Sequence, residues 1–272
     1  MATAKATLVY DTYVSDAHKT TTYENAAFAS LGKTYRIGVQ QYNIPKLDDI
    51  VLNSAKLRLY VSESISGAKV TAALYEQNQK FSGLTYNDWI PVMDRKILDA
   101  EGSFTFTRGS SSYDEWIELD IANLILGNIG KQNFTLGITT NKPTFTIIET
   151  SRNTHPPEII IDYQDATPFI PTIIYPDGEV LENAGTVRFQ WRHNTSGGSA
   201  QSKFELGWKM QSESSWHTVT QSTAQQYYDI NASNFQNGIV EWRVRTFNTK
   251  GLASDYATAQ FFVVGKPGNP SI

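Results

Sequence analysis

The 272-residue sequence contains no cysteine. Disulfides and thiolate metal sites are therefore excluded as sources of its stability. Long apolar runs are missing too. No segment approaches the roughly 20 apolar residues of a membrane-spanning helix. The opening MATAKATLVYDTYV has one lysine and no apolar stretch of signal-peptide length. The expectation is synthesis in the cytoplasm without a signal peptide, and no membrane partner. Without such a signal, the sequons at Asn133, Asn194 and Asn231 are read as incidental. Positive charge is scarce, with 23 Lys and Arg against 27 Asp and Glu and a net charge of −4. The cations are spread along the chain, so no nucleic-acid partner is expected.

Catalytic motifs are absent as well. The four histidines, His18, His155, His193 and His217, include no pair at i+3 or i+4, which excludes a helical zinc motif. There is no G-x-S-x-G elbow, phosphate-binding loop or dinucleotide glycine run. Neighbouring acids in LDD, YDEW and DYQD read as solvated pairs, because a glycosidase pair comes from separate strands. The chain is expected not to be an enzyme and to need no cofactor. One structural calcium is kept as a candidate. Asp11 and Asp16 flank the first strand, and Asp162 or Asp120 could approach them. Calcium takes roughly six or more oxygens, and no D-x-D-x-D-G loop supplies them, so acids at strand ends facing water are the alternative.

What the sequence does have is aromatic side chains, 12% of the total, set in strands of period two. In VRFQWR, Val187, Phe189 and Trp191 share a face opposite Arg188, Gln190 and Arg192. KFELGWKM and VEWRVRTF alternate in the same way, placing Trp208 and Trp242 on the apolar face. One dry face and one wet face is the signature of an antiparallel sheet in a two-layer sandwich. Helical spacing is confined to LDIANLIL, Leu119 to Leu126, which reads as a short helix or helical turn. The polar, Pro-bearing stretch QDATPFIPT marks a stiff seam. The expected architecture is all-β, two β-sandwich domains in tandem at 1–165 and 166–272, the second ending in a short Gly/Pro tail.

The second block resembles a fibronectin type III domain through YPDG, VRFQW and GIVEWRVRTFNTKGLASDYATAQFF, over residues 168–264. The resemblance implies a seven-stranded sandwich. It departs from the family where a corner tyrosine is usual, since Val240 holds that position. The first block resembles the DNRLRE-type jelly-roll modules, a carbohydrate-specific module family. The match runs through YDTYVSDAH, YRIGVQQYNIP, VLNSAKLRLYV, GLTYNDWIP and WIELDIANLILGNIGKQNFTLGI. Its closing segment is IIETSRNTHPPEIIIDY, where Pro156 and Pro157 end a loop and pairing resumes at Glu158. His155 is then a loop residue and not a base.

A planar ring stacks on the apolar face of a pyranose, so exposed aromatics are the candidate ligand contacts. Tyr86 and Trp89, in the turn TYNDWIP, and Tyr113, in SSSYDEW, fill that role. Trp116 is read as core, like Trp191, Trp208 and Trp242. Adhesion-type modules on a chain read as lacking a signal peptide suggest a phage or prophage virion protein. It would be a decoration, fibre or tail-associated component, homo-oligomeric on a symmetric particle. Its partners would be other virion proteins or a host cell-surface polysaccharide. The alternative is a carbohydrate-binding accessory module pair of a secreted enzyme or surface protein, working outside the cell.

Overall fold

A computed structural model describes residues 1–32, 36–76, 82–142 and 146–265. The Gly/Pro tail, from 266 onward, lies outside the described residues. The chain divides into two compact units: unit 1 is Met1–Leu47 with Val51–Gln164, and unit 2 is Asp48–Ile50 with Asp165–Ile272. Among the described residues, no helix is long and apolar enough to cross a membrane.

Unit 1 is a jelly-roll sandwich. Its elements are β1 (Ala2–Lys5), β2 (Thr7–Ser15), β3 (Phe28–Leu31), β4 (Arg36–Asn43), β5 (Ile50–Glu63), β6 (Lys69–Tyr75), α1 (Tyr86–Met93), β7 (Lys96–Thr105), β8 (Glu115–Asp120), α2 (Ala122–Ile125), β9 (Phe134–Thr140), β10 (Thr146–Glu149) and β11 (Glu158–Asp165). One sheet runs β1-β11-β5-β10-β3, with β8 also paired to β5; the other runs β2-β4-β9-β6-β7. The first and last strands of the unit are antiparallel neighbours, Ala2 opposite Tyr163 and Lys5 opposite Ile160.

Alternation builds the core between the sheets. Leu57, Leu59 and Val61 of β5, Ile117 and Leu119 of β8, and Ile159 and Ile161 of β11 face Val70, Ala72, Leu74, Phe134, Leu136 and Ile138. Each of the Val, Leu, Ile and Phe side chains taken fully out of water contributes roughly 1.5–3 kcal/mol. The expected helical turn is α2, with Leu124 and Ile125 buried. Just before it, Asp120 accepts the Ala122 amide at 2.9 Å in an Asx-type turn. Pro156 and Pro157 stand where expected, in the loop that ends as β11 begins at Glu158.

Unit 2 contains β12 (Phe169–Tyr175), β13 (Val180–Glu182), β14 (Thr186–Asn194), β15 (Lys203–Met210), β16 (His217–Gln221), β17 (Tyr227–Asn231), β18 (Gly238–Phe247) and β19 (Ala257–Val264). A three-stranded sheet, β12-β14-β17, faces a five-stranded one, β13-β19-β18-β15-β16. That is one strand more than expected, because the first strand is split. β12 pairs with β14, and β13 joins the opposite sheet in parallel with β19. Pro176 has no amide to continue the first ladder, and Gly178 at φ +89° turns the chain. Trp191 and Trp242 are fully buried as expected. Trp208 only packs against the core from its rim, its ring stacked on His217 at 5.7 Å. Val240 is buried within β18. The neighbouring corner is instead held by Phe235, which is buried and whose carbonyl accepts Asn183 Nδ2 at 2.9 Å.

Candidate functional site

The two sheets of unit 1 have very different outer faces. On the β2-β4-β9-β6-β7 sheet that face is roofed by α1. Thr85 and Asp88 form a capping box at the helix start, the Thr85 amide donating to Asp88 Oδ2 at 2.9 Å. The helix then lays Trp89 and Val92 over Tyr10, Val14, Ile37 and Val39 as a second small core. Gly137 makes room for this roof: a Cβ there would stand 2.5 Å from Tyr75 Cε2 and 3.4 Å from Trp89 Cζ2.

This overturns the expectation of an exposed turn at TYNDWIP. Trp89 is fully buried, 5.1 Å from the Tyr75 ring, and has no face to offer a sugar. Tyr113 is buried as well, set edge-on to Phe106 at 4.9 Å, with the Arg108 guanidinium over its ring. Tyr86 alone of the three is half-exposed, and it packs against the α1 core.

The opposite sheet leaves its outer face open, and there the even-numbered residues of β5, β8 and β11 form a mixed platform. Tyr60 and Trp116 are cross-strand partners with ring centroids 5.5 Å apart and planes at 81°. His155, from the loop between β10 and β11, stacks on Tyr60 at 3.8 Å and stands edge-on to Trp116 at 5.9 Å. Glu149 anchors that histidine, accepting from its backbone amide at 2.9 Å and lying 3.0 Å from Nδ1. Trp116 is thus a correction to the core reading: its neighbours Ile117 and Leu119 point inward and it points out, half-buried.

Charged groups frame the three rings. The Arg58 guanidinium lies 4.5 Å over Trp116 and donates to Glu158 at 3.2 Å, with Glu118 at 3.4 Å on its other side. Lys56 pairs with Glu118 at 2.6 Å and Lys5 with Glu158 at 2.8 Å. The hydrogen bond and charge of Glu118 raise the Lys56 pKa above its ordinary value. Desolvation raises that of Tyr60, helped by the nearby carboxylates of Asp114, Glu149 and Glu115. Serines from the β5–β6 and β7–β8 connections line a hollow of about 440 Å³ beyond the end of β5, with Glu63, Ser64, Ser66 and Ser110 on its wall. Aromatic rings beside fixed donors and acceptors form a surface suited to polyhydroxylated ligands.

The acids considered for calcium are not gathered together. Asp11 is buried, and its carboxylate accepts the Ser151 amide at 2.6 Å, the Ser151 hydroxyl at 2.5 Å and Arg152 Nη1 at 2.5 Å. Asp16 opens a short 3-10 turn, Asp16–His18. Asp120 accepts the Ala122 amide at the start of α2, and Asp162, on the open platform, is held below the usual carboxylate range by hydrogen bonds from Thr3 and Ser54. Among the described residues, no three His, Asp or Glu side chains stand close enough to hold a metal ion.

Comparison with known proteins gives a direct match for unit 1. The model of carbohydrate-binding module family 96 matches residues 2–163. A search of curated proteins returned no match. Among solved structures, the fibronectin(III)-like modules of Clostridium thermocellum CbhA align at 12% identity, over 36% of this chain and 100% of theirs, with a TM-score of 0.27. A two-domain fibronectin type III segment of chicken tenascin aligns at 7% identity, over 86% of this chain and 93% of its own, at 0.32. A β-1,2-glucanase from Parabacteroides distasonis aligns at 9% identity, over 85% of this chain and 31% of the glucanase, at 0.28.

Proposed function

We propose that unit 1 binds a polysaccharide through its open sheet face, the premise being that this chain belongs to carbohydrate-binding module family 96. The observation that carries the reading is the contrast between the outer faces. One is roofed by α1, and the other presents Tyr60, Trp116 and His155 among paired charges. Binding proceeds without chemistry on the sugar. Ring surface covers the apolar C–H groups of a pyranose, while Arg58, Glu118 and Glu158 exchange their water for sugar hydroxyls. The rings are fixed by stacking before ligand arrives, which lowers the ordering cost of association.

The family match favours the accessory-module alternative over a virion component, for which there is no supporting observation. An extracellular or cell-surface setting goes with this reading, since a glycan-binding module works where its polysaccharide lies. The test is affinity electrophoresis of the full chain through gels containing neutral or acidic polysaccharides. A polysaccharide that retards the chain, with retardation lost in Trp116→Ala and Tyr60→Ala, supports the reading. Retardation unchanged in both variants would place the ligand elsewhere.

A further inference from the structure

We propose that unit 2 carries a site of its own for a single neutral sugar residue, in a cleft bounded by Trp216 and the turn after β12. This goes beyond the reading of unit 1 and does not rest on it. The cleft has a volume of about 370 Å³ and is lined by Asp177, Trp216, Glu241, Trp242, Thr258 and Gln260, with Ala259. Such a volume lies at the small end of ligand sites.

Its walls are fixed. Trp242 is fully buried and donates its indole N–H to the Pro176 carbonyl at 2.8 Å, which ties the β18 side of the cleft to the turn. Trp216 lies against Gly207, where an added Cβ would stand 3.3 Å from indole Cε3. The missing side chain lets the half-exposed indole approach the strand, and it serves as the aromatic wall.

The polar lining is available for a ligand. Among the described residues, the side chains of Asp177, Thr258 and Gln260 have no hydrogen-bond partner. Together they supply a carboxylate, a hydroxyl and an amide, which pair with hydroxyl groups as donors and acceptors.

The surrounding charge selects the ligand class. Arg243 lies 4.3 Å and Lys209 5.3 Å from the Trp216 ring, so a cationic ligand meets two cations already engaged there. Asp177 and Glu241 oppose an anion, and the Glu241 carboxylate is already paired with Lys209 at 3.0 Å. A neutral pyranose satisfies both restrictions, with C–H groups on the indole and hydroxyls toward Asp177, Thr258 and Gln260.

The test follows the Trp216 indole N–H resonance in full-length chain carrying Trp116→Ala, so that unit 1 does not contribute. Trp216→Phe assigns the signal. The probes are the methyl glycosides of glucose, galactose and mannose, with glucuronate and glucosamine as charged comparisons. A saturable shift with at least one neutral glycoside is expected, binding about tenfold tighter than either charged sugar. Gln260→Ala and Thr258→Val, both surface changes, should each weaken it by about threefold to tenfold. The proposal is overturned if no neutral glycoside moves the resonance, if a charged sugar binds as well, or if both lining variants leave affinity unchanged.

Discussion

His155 lies flat on Tyr60, with ring centroids 3.8 Å apart and planes 15° from parallel. The stack joins a loop residue to β5, and Glu149 holds the histidine through its amide and ring nitrogen. Removing the imidazole should uncover Tyr60 and free the loop without touching the core. His155→Ala is expected to lower polysaccharide affinity about threefold to tenfold while shifting stability by less than about 1 kcal/mol. Affinity electrophoresis beside thermal melting checks both halves, and a melting loss equal to that of a core variant would refute the surface assignment.

Trp89 and Trp116 should separate cleanly. Trp89→Ala empties the middle of the α1 roof and is expected to cost about 3–5 kcal/mol, with loss of the unit 1 unfolding transition at the temperature where it normally occurs. Trp116→Ala should leave that transition nearly in place and remove binding. Calorimetry on both variants is the measurement; equal destabilisation would show that Trp116 belongs to the core after all.

Gly137 offers a finer probe of the same roof. A methyl group there meets the Tyr75 ring at 2.5 Å, so Gly137→Ala should displace Tyr75 and Trp89 together. A loss of roughly 1–3 kcal/mol is expected, accompanied by a change in near-ultraviolet circular dichroism. An unchanged spectrum with full stability would mean the helix does not press on β9.

Asp11 tests the choice between ion pair and calcium. Its buried carboxylate is met by Arg152 and Ser151, so Asp11→Ala strands a partly exposed guanidinium and costs about 2–4 kcal/mol. Neither added calcium nor a chelator should move the melting temperature of the parent chain. A calcium-dependent rise that disappears in Asp11→Ala would reverse this reading.

Unit 2 should be acid-sensitive through two depressed carboxyls. Arg188 donates two hydrogen bonds to Asp229 at 2.9 Å and holds it below the usual range. Burial pushes Glu205 up, but hydrogen bonds from Tyr256 and Arg245 and the charges of Arg245 and Arg243 outweigh it, so it too lies low. A carboxyl depressed on folding stabilises fully above its unfolded pKa of about 4, and this contribution is lost as pH falls through the folded value. The unit 2 melting temperature should therefore be flat near neutrality and decline below about pH 4. Arg188→Ala and Glu205→Gln should each shallow that decline, and a slope unaltered in both would exclude these groups.

The tandem sandwiches were legible because alternation is local: Phe189 and Trp191, or Leu57 and Leu59, declare their face by spacing alone. The platform was not, for two reasons. In WIELDI, Trp116 shares its face with Glu118 and Asp120, opposite Ile117, Leu119 and Ile121, so alternation marked the wet parity and the core reading followed residue size instead; its partner Tyr60 on β5 emerges only from the strand pairing. Conversely, TYNDWIP has turn-like composition, yet the T-x-x-D box at Thr85 and Asp88 announced a helix start and was the signal that could have placed Trp89 inside. The stack of His155 on Tyr60 joins residues 95 positions apart, beyond the reach of any local pattern.

The pairing of Ala2 with Tyr163 has a mechanical side. Tension entering unit 1 through these two ends pulls neighbouring antiparallel strands apart from the same edge. It then opens one rung at a time, as a zipper does, instead of loading the whole ladder in shear. Force applied between Ala2 and Tyr163 would thus peel β1 first, while β5, β8 and the rings they carry stay in register.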